Sequence, residues 1–100
     1  MPPYRVEVAI PARQEIAEAE DWIAADSPEA AERWIEGLFD VLDRLKAMPA
    51  RYPLAPEDQD QVDEIRHLIY GRYRILFTIR PGRVLILHVR HGARLPLRPE

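Results

Sequence analysis

All three histidines and eight of the chain's arginines fall within residues 66–100, where Glu100 is the sole acid. A guanidinium is a planar fork that holds a phosphate or carboxylate through two parallel hydrogen bonds. An imidazole changes charge near neutral pH and can act as acid or base. Arg72, Arg74, Arg90 and Arg94, with His88 and His91, therefore form a candidate set for handling oxyanions. His67 lies earlier and is expected to be structural. A metal centre is not expected. The chain has no cysteine, and the spacing of His88 and His91 puts the two on opposite faces of a strand. No Gly-rich phosphate loop is present, and no cofactor is expected.

The sign of charge is segregated along the chain. Residues 1–65 carry six Lys/Arg against 16 Asp/Glu, a balance of −10. Residues 66–100 carry eight Arg against one acid, a balance of +7. Such asymmetry points to a polyanionic or acidic partner. The preference for Arg over Lys is also a habit of chains rich in Ala, Arg and Pro, but composition does not separate the signs. Glu15, Glu18, Asp21, Glu32, Glu36, Asp40 and Asp43 are expected on solvated helix faces.

Positioning these groups requires a sheet. Tyr4, Val6, Val8 and Ile10 alternate with Arg5, Glu7 and Ala9, as in a strand over 4–10. Residues 12–25 read as a helix with Ile16, Ala19, Ile23 and Trp22 towards a core. Ser27 can cap a second helix, with Pro28 in its first turn. Trp34, Leu38, Val41, Leu42 and Leu45 form its apolar stripe over 28–47. Three prolines mark 49–63 as a loop. Strands follow at 64–70, 72–80 and 84–90, joined at Gly71 and at the turn Arg80-Pro81-Gly82-Arg83, where Pro and Gly suit a type II turn.

The expected architecture is a single domain over 1–100 of two-layer α+β class. It comprises an N-terminal strand, an antiparallel helix hairpin and a three-stranded antiparallel meander, with all strands in one sheet. Strict alternation through the last two strands would put Arg72, Arg74, Leu76, Ile86, His88 and Arg90 on one open face. Trp22 and Trp34 read as core. No run reaches the roughly 20 apolar residues of a membrane span. The start, Met1 to Tyr4, lacks a signal-peptide pattern, so a cytoplasmic location is expected.

Three stretches carry a resemblance: PARYPLA from Pro49, GRYRILFTI from Gly71 and VLILHVRHG from Val84. In this element order they resemble the RelE/ParE toxin superfamily of toxin–antitoxin systems. The resemblance implies neutralisation by a cognate antitoxin, a segment of which folds over the toxin in a hetero-oligomer. It also implies a target, either DNA gyrase for ParE-like members or ribosome-bound mRNA for RelE- and YoeB-like members. In the nuclease case Arg74 would bind phosphate, His91 would act in catalysis, and Glu57 or Glu64 would be the base to consider. Arg94 lies near another arginine of RelE-like members. The lysines and the terminal tyrosine of those nucleases are missing, so the ParE-like reading is preferred. A member that only binds antitoxin is the third reading. Arg72, Arg74, Leu76, Ile86, His88, Arg90 and Arg94 are the expected contacts to target or antitoxin.

Overall fold

The computed structural model describes residues 3–58 and 64–92. Strand β1 (Arg5–Val8) leads into helices α1 (Ile10–Asp26) and α2 (Pro28–Arg44). Two short 3-10 turns, Pro49–Arg51 and Pro56–Asp58, precede β2 (Ile65–Tyr70), β3 (Tyr73–Arg80) and β4 (Arg83–His91). The four strands make one mixed sheet in the order β1-β4-β3-β2. β2, β3 and β4 form the expected antiparallel meander, and β1 runs parallel to β4. The two-layer α+β class and the element order are as the sequence led us to expect.

One residue joins the helices. The Ser27 amide donates to Ile23 O and closes α1, while its Oγ accepts from the Ala30 amide at 3.2 Å and opens α2. Pro28 at the first helical position and Glu29 in the first turn complete the start. Ser27→Ala is expected to cost about 1 kcal/mol. Urea unfolding with an unchanged slope checks this, and a midpoint equal to wild type would mean the cap contributes nothing.

The core lies between the hairpin and the sheet. Leu38, Leu42 and Leu45 meet Ile75, Phe77, Val84, Ile86 and Val89, all nearly or fully buried. Near the β2–β3 turn, Tyr70 reaches α2 and donates to Trp34 O at 2.8 Å. A Cβ on Gly37 would overlap this hydroxyl, so the close approach requires glycine there.

Several local expectations are corrected. β1 stops at Val8, and Ile10 begins α1 at 69% exposure rather than ending a strand. Pro11 fits the first turn, so the helix takes Ile10 as well. Trp22 is 75% exposed, not core. The buried stripe of α1 runs through Ala12, Ile16 and Ala19. At about 100° per residue, Trp22 stands roughly 90° off that stripe.

Strict alternation also fails in β4. Leu76 pairs with His88 but Phe77 pairs with Ile86, which leaves Leu87 as an extra residue in a bulge. Val84 and Ile86 face the helices before the bulge, and Val89 and His91 face them after it. Ile86 is therefore fully buried core and does not join Leu76 and Arg74 on the outer face.

Candidate functional site

The outer sheet face is not the open basic surface that its sequence suggests. The segment after the first 3-10 turn lies along the β2 edge. Leu54 bridges Arg66, the Ala55 amide donates to Ile65 O at 2.8 Å, and the His67 amide donates to Pro53 O at 3.1 Å. Arg66 Nη1 donates to Tyr52 O at 2.6 Å. The second 3-10 turn then sends Glu57 over β2 to β3. There Arg74 Nη1 donates to Glu57 Oε2 at 2.8 Å and Arg74 Nη2 to Glu57 Oε1 at 2.7 Å. The side chains of Arg74 and Glu57 are 11% and 3% exposed. Leu76, expected on the open face, is 1% exposed, and so is its neighbour Thr78. Thr78 Oγ1 donates to Glu64 O at 2.8 Å.

His67 belongs to the same cluster. Its Nδ1 lies 3.2 Å from Arg74 Nη2, a donor, so the ring nitrogen accepts. Burial first, and the Arg74 charge second, hold His67 below its ordinary pKa of 6.5, against the pull of Glu57. The hydrogen bond to Glu57 is the main cause that raises Arg74 above its ordinary value, with burial acting the other way.

A base depressed in the folded state takes up its proton more readily when unfolded. The His67 contribution to stability is thus complete above about pH 6.5 and declines as the pH falls through the window below it. His67→Gln should flatten this part of the profile. Chemical unfolding of both proteins between pH 7.5 and 5 checks the point, and parallel curves would refute it.

Other arginines of the basic half are also matched to acids. Arg83 Nη1 meets Glu7 Oε2 at 3.0 Å across β1 and β4, and Arg66 lies 3.7 Å from Glu64. His88 Nδ1 lies 3.0 Å from Glu15 Oε1 of α1, and the same oxygen accepts from the Val89 amide at 3.1 Å. β1 pairs only with Arg83–Ile86, and Glu15 takes up an edge amide beyond the point where β1 ends. Glu15, expected on a solvated face, is thus a fastening between helix and sheet. A single exposed side gathering these basic groups is corrected to a face whose charges are largely matched internally.

Two concave regions meet at the β2–β3 turn. A shallow cleft of about 370 Å³ brings together Arg72, Arg74 and His91, with Ile69, Gly71 and Gly92 at its margins. Arg72 is exposed in the turn, and its carbonyl accepts from the Gly92 amide at 2.6 Å. Arg90 stands beside Arg74 in the neighbouring strand. His91 faces the helix side, edge-on to Tyr73 at 5.3 Å, so register sends it and Arg74 to opposite faces. Arg94 lies outside the described residues.

A larger groove, about 520 Å³, runs between α1 and the free part of β4. Trp22, Tyr73, Val89 and His91 supply its apolar and aromatic wall, and Glu15 and Glu18 its rim. Sequence reasoning missed Trp22, Tyr73 and Glu15 as parts of a binding surface, and it named Glu57 only as a possible base. The site offers ion pairing, hydrogen bonding and an aromatic wall, and it does not bring Arg74 and His91 together on one face.

Comparison with known proteins bears on the same fold. No functionally curated protein matches the chain by sequence. Among solved structures, it superposes on a chain from the chromosomal ParDE TA system of P. aeruginosa with a TM-score of 0.71 at 13% identity. That match covers 88% of this chain and 95% of the other. A chain of the archaeal RelE-RelB complex from Pyrococcus horikoshii OT3 gives a TM-score of 0.61 at 14% identity, covering 93% and 99%. Likeness at this level of identity establishes the shared fold. The profile of the ParE toxin of the type II toxin–antitoxin system parDE matches residues 6–96, and the chain belongs to that family.

Proposed function

We propose that this chain is the toxin of a type II pair, that a cognate antitoxin segment folds onto it, and that its target is DNA gyrase in the cytoplasm. The observation that carries the reading is the family match across residues 6–96. The site geometry supports the non-nuclease branch. The guanidinium of Arg74 is engaged by Glu57, and His91 turns to the other face. A phosphate-binding arginine and a catalytic histidine serving one phosphate would both need to be within hydrogen-bond reach of the reacting group. Among the described residues, no helix is long and apolar enough to cross a membrane.

The groove beside Trp22 is the place this reading gives to the antitoxin. An exposed indole with Tyr73 and Val89 behind it is the kind of anchor that dominates interfaces, and truncating such an anchor typically costs about 2 kcal/mol or more. Arg72 and Arg90, at the neighbouring cleft and strand, supply cations to the same partner or to the target. Of the remaining sequence candidates, His88 is assigned only to the periphery of this contact.

The deciding experiment adds purified toxin to a gyrase supercoiling reaction. Loss of supercoiling with accumulation of cleaved DNA is expected, and cognate antitoxin should relieve it. Normal supercoiling at large molar excess would overturn the gyrase target. Cutting of mRNA in a parallel translation reaction would instead indicate the ribosomal branch. No growth arrest on expression without antitoxin would leave a purely antitoxin-binding protein.

A further inference from the structure

The Glu57–Arg74 pair joins a buried carboxylate to an arginine that also helps line an open cleft. The two groups meet as planar forks through two parallel bonds of 2.8 and 2.7 Å. The hydrogen bonds that fix the preceding segment to the β2 edge involve Pro53 and Ala55. Glu57 lies beyond them, on the second 3-10 turn. On the other side, Arg74 helps line the cleft at the β2–β3 turn. The approach there is bare: a Cβ on Gly71 would meet nothing within 4 Å. Ile69, the β2 neighbour of Arg74, is 64% exposed at the cleft mouth. Arg72 and Arg90 add positive charge close by.

We infer that the fork of Arg74 is a carboxylate-binding site that the chain fills with its own Glu57. An acidic side chain on a partner segment entering through the cleft exchanges with Glu57 at this fork. The occupant is a carboxylate because the bound group already is one, held in the planar bidentate geometry that suits it. Removing Glu57 outright leaves a desolvated cation without compensation, whereas exchanging one carboxylate for another keeps it neutralised throughout. The exposed Ile69 calls for an apolar residue next to the incoming acid. The partner is thus a short acidic–apolar peptide segment, and the inference stands independently of the gyrase target.

Thermal unfolding in sodium chloride, sodium acetate and sodium phosphate at equal ionic strength tests the exchange. Wild type, with its site filled, should respond alike in chloride and acetate. Glu57→Gln should melt lower in chloride and regain about 5 °C or more as acetate rises, because a ligand that binds only the native state stabilises it by mass action. The gain should vanish in the double variant Glu57→Gln/Arg74→Gln. If Glu57→Gln is unfolded in chloride, acetate should restore its cooperative transition. An acetate response equal to that in chloride, an unchanged response without Arg74, or recovery in phosphate alone would each overturn the assignment.

Discussion

Arg74→Leu is expected to lower the free energy of unfolding by about 3–5 kcal/mol, and Glu57→Leu by a similar amount. Each change strands one charge where its partner's side chain is nearly sealed from water. The Coulomb attraction is lost while the desolvation cost of the survivor remains. In Arg74→Leu, His67 also loses its donor. Replacing both residues by leucine should recover most of the loss, since an apolar pair of similar volume has no charge to desolvate. A double-mutant cycle from urea unfolding therefore should show strong coupling between positions that are 17 apart in sequence. Single variants within 1 kcal/mol of wild type would mean that water reaches the pair and that the strap carrying Glu57 is not fastened by it.

Phe77→Ala should be comparably severe, at about 3–5 kcal/mol. Phe77 is fully buried and stacks edge-on to Tyr52 at 6.0 Å, with an interplanar angle of 88°. Tyr52 stands at the head of the segment that runs to Glu57, so the ring secures the strap from the helix side of the sheet. Truncation leaves a cavity in the buried cluster, opposite Ile86 in the ladder, that the surrounding side chains only partly fill. Calorimetry on Phe77→Ala and Phe77→Leu checks it, because the leucine should retain more than half of the lost stability. Equal losses in both would show that the aromatic shape, not the volume, carries the effect.

The parts of the fold that could be read from sequence are those with a strong local signal. Ser27-Pro28 marks the helix junction, the spacing of Trp34, Leu38 and Leu42 gives the buried face of α2, and Gly71 and Pro81-Gly82 place the hairpin turns. The positive φ of Gly71 (57°) and Gly82 (73°) is the conformation those residues were chosen to reach. The site was harder. The bulge at Leu87 sits in a run, Val84 to Val89, that is apolar on both faces, and so no change of period betrays it. One extra residue reverses inside and outside for the part of β4 before it, and this moved Ile86 to the core, whereas His91, one residue past Arg90, lies opposite Arg74 by alternation alone. Glu57 is one of many acids in its neighbourhood, and only the third dimension selects it as the partner of Arg74. Trp22 was misread because large aromatics are more often core than groove wall.

The pairing of β1 with β4 has a consequence for synthesis. The first strand, Arg5–Val8, finds its neighbour only at Arg83–Ile86, near the far end of the chain. At about 5–20 residues per second, translation leaves the first strand waiting several seconds for that neighbour. Closing so long a loop also makes the contact intrinsically slow to form. A half-made polypeptide on the ribosome thus lacks both the finished sheet and the groove beside Trp22, and any harm it does to the cell must begin after translation has passed the last strand.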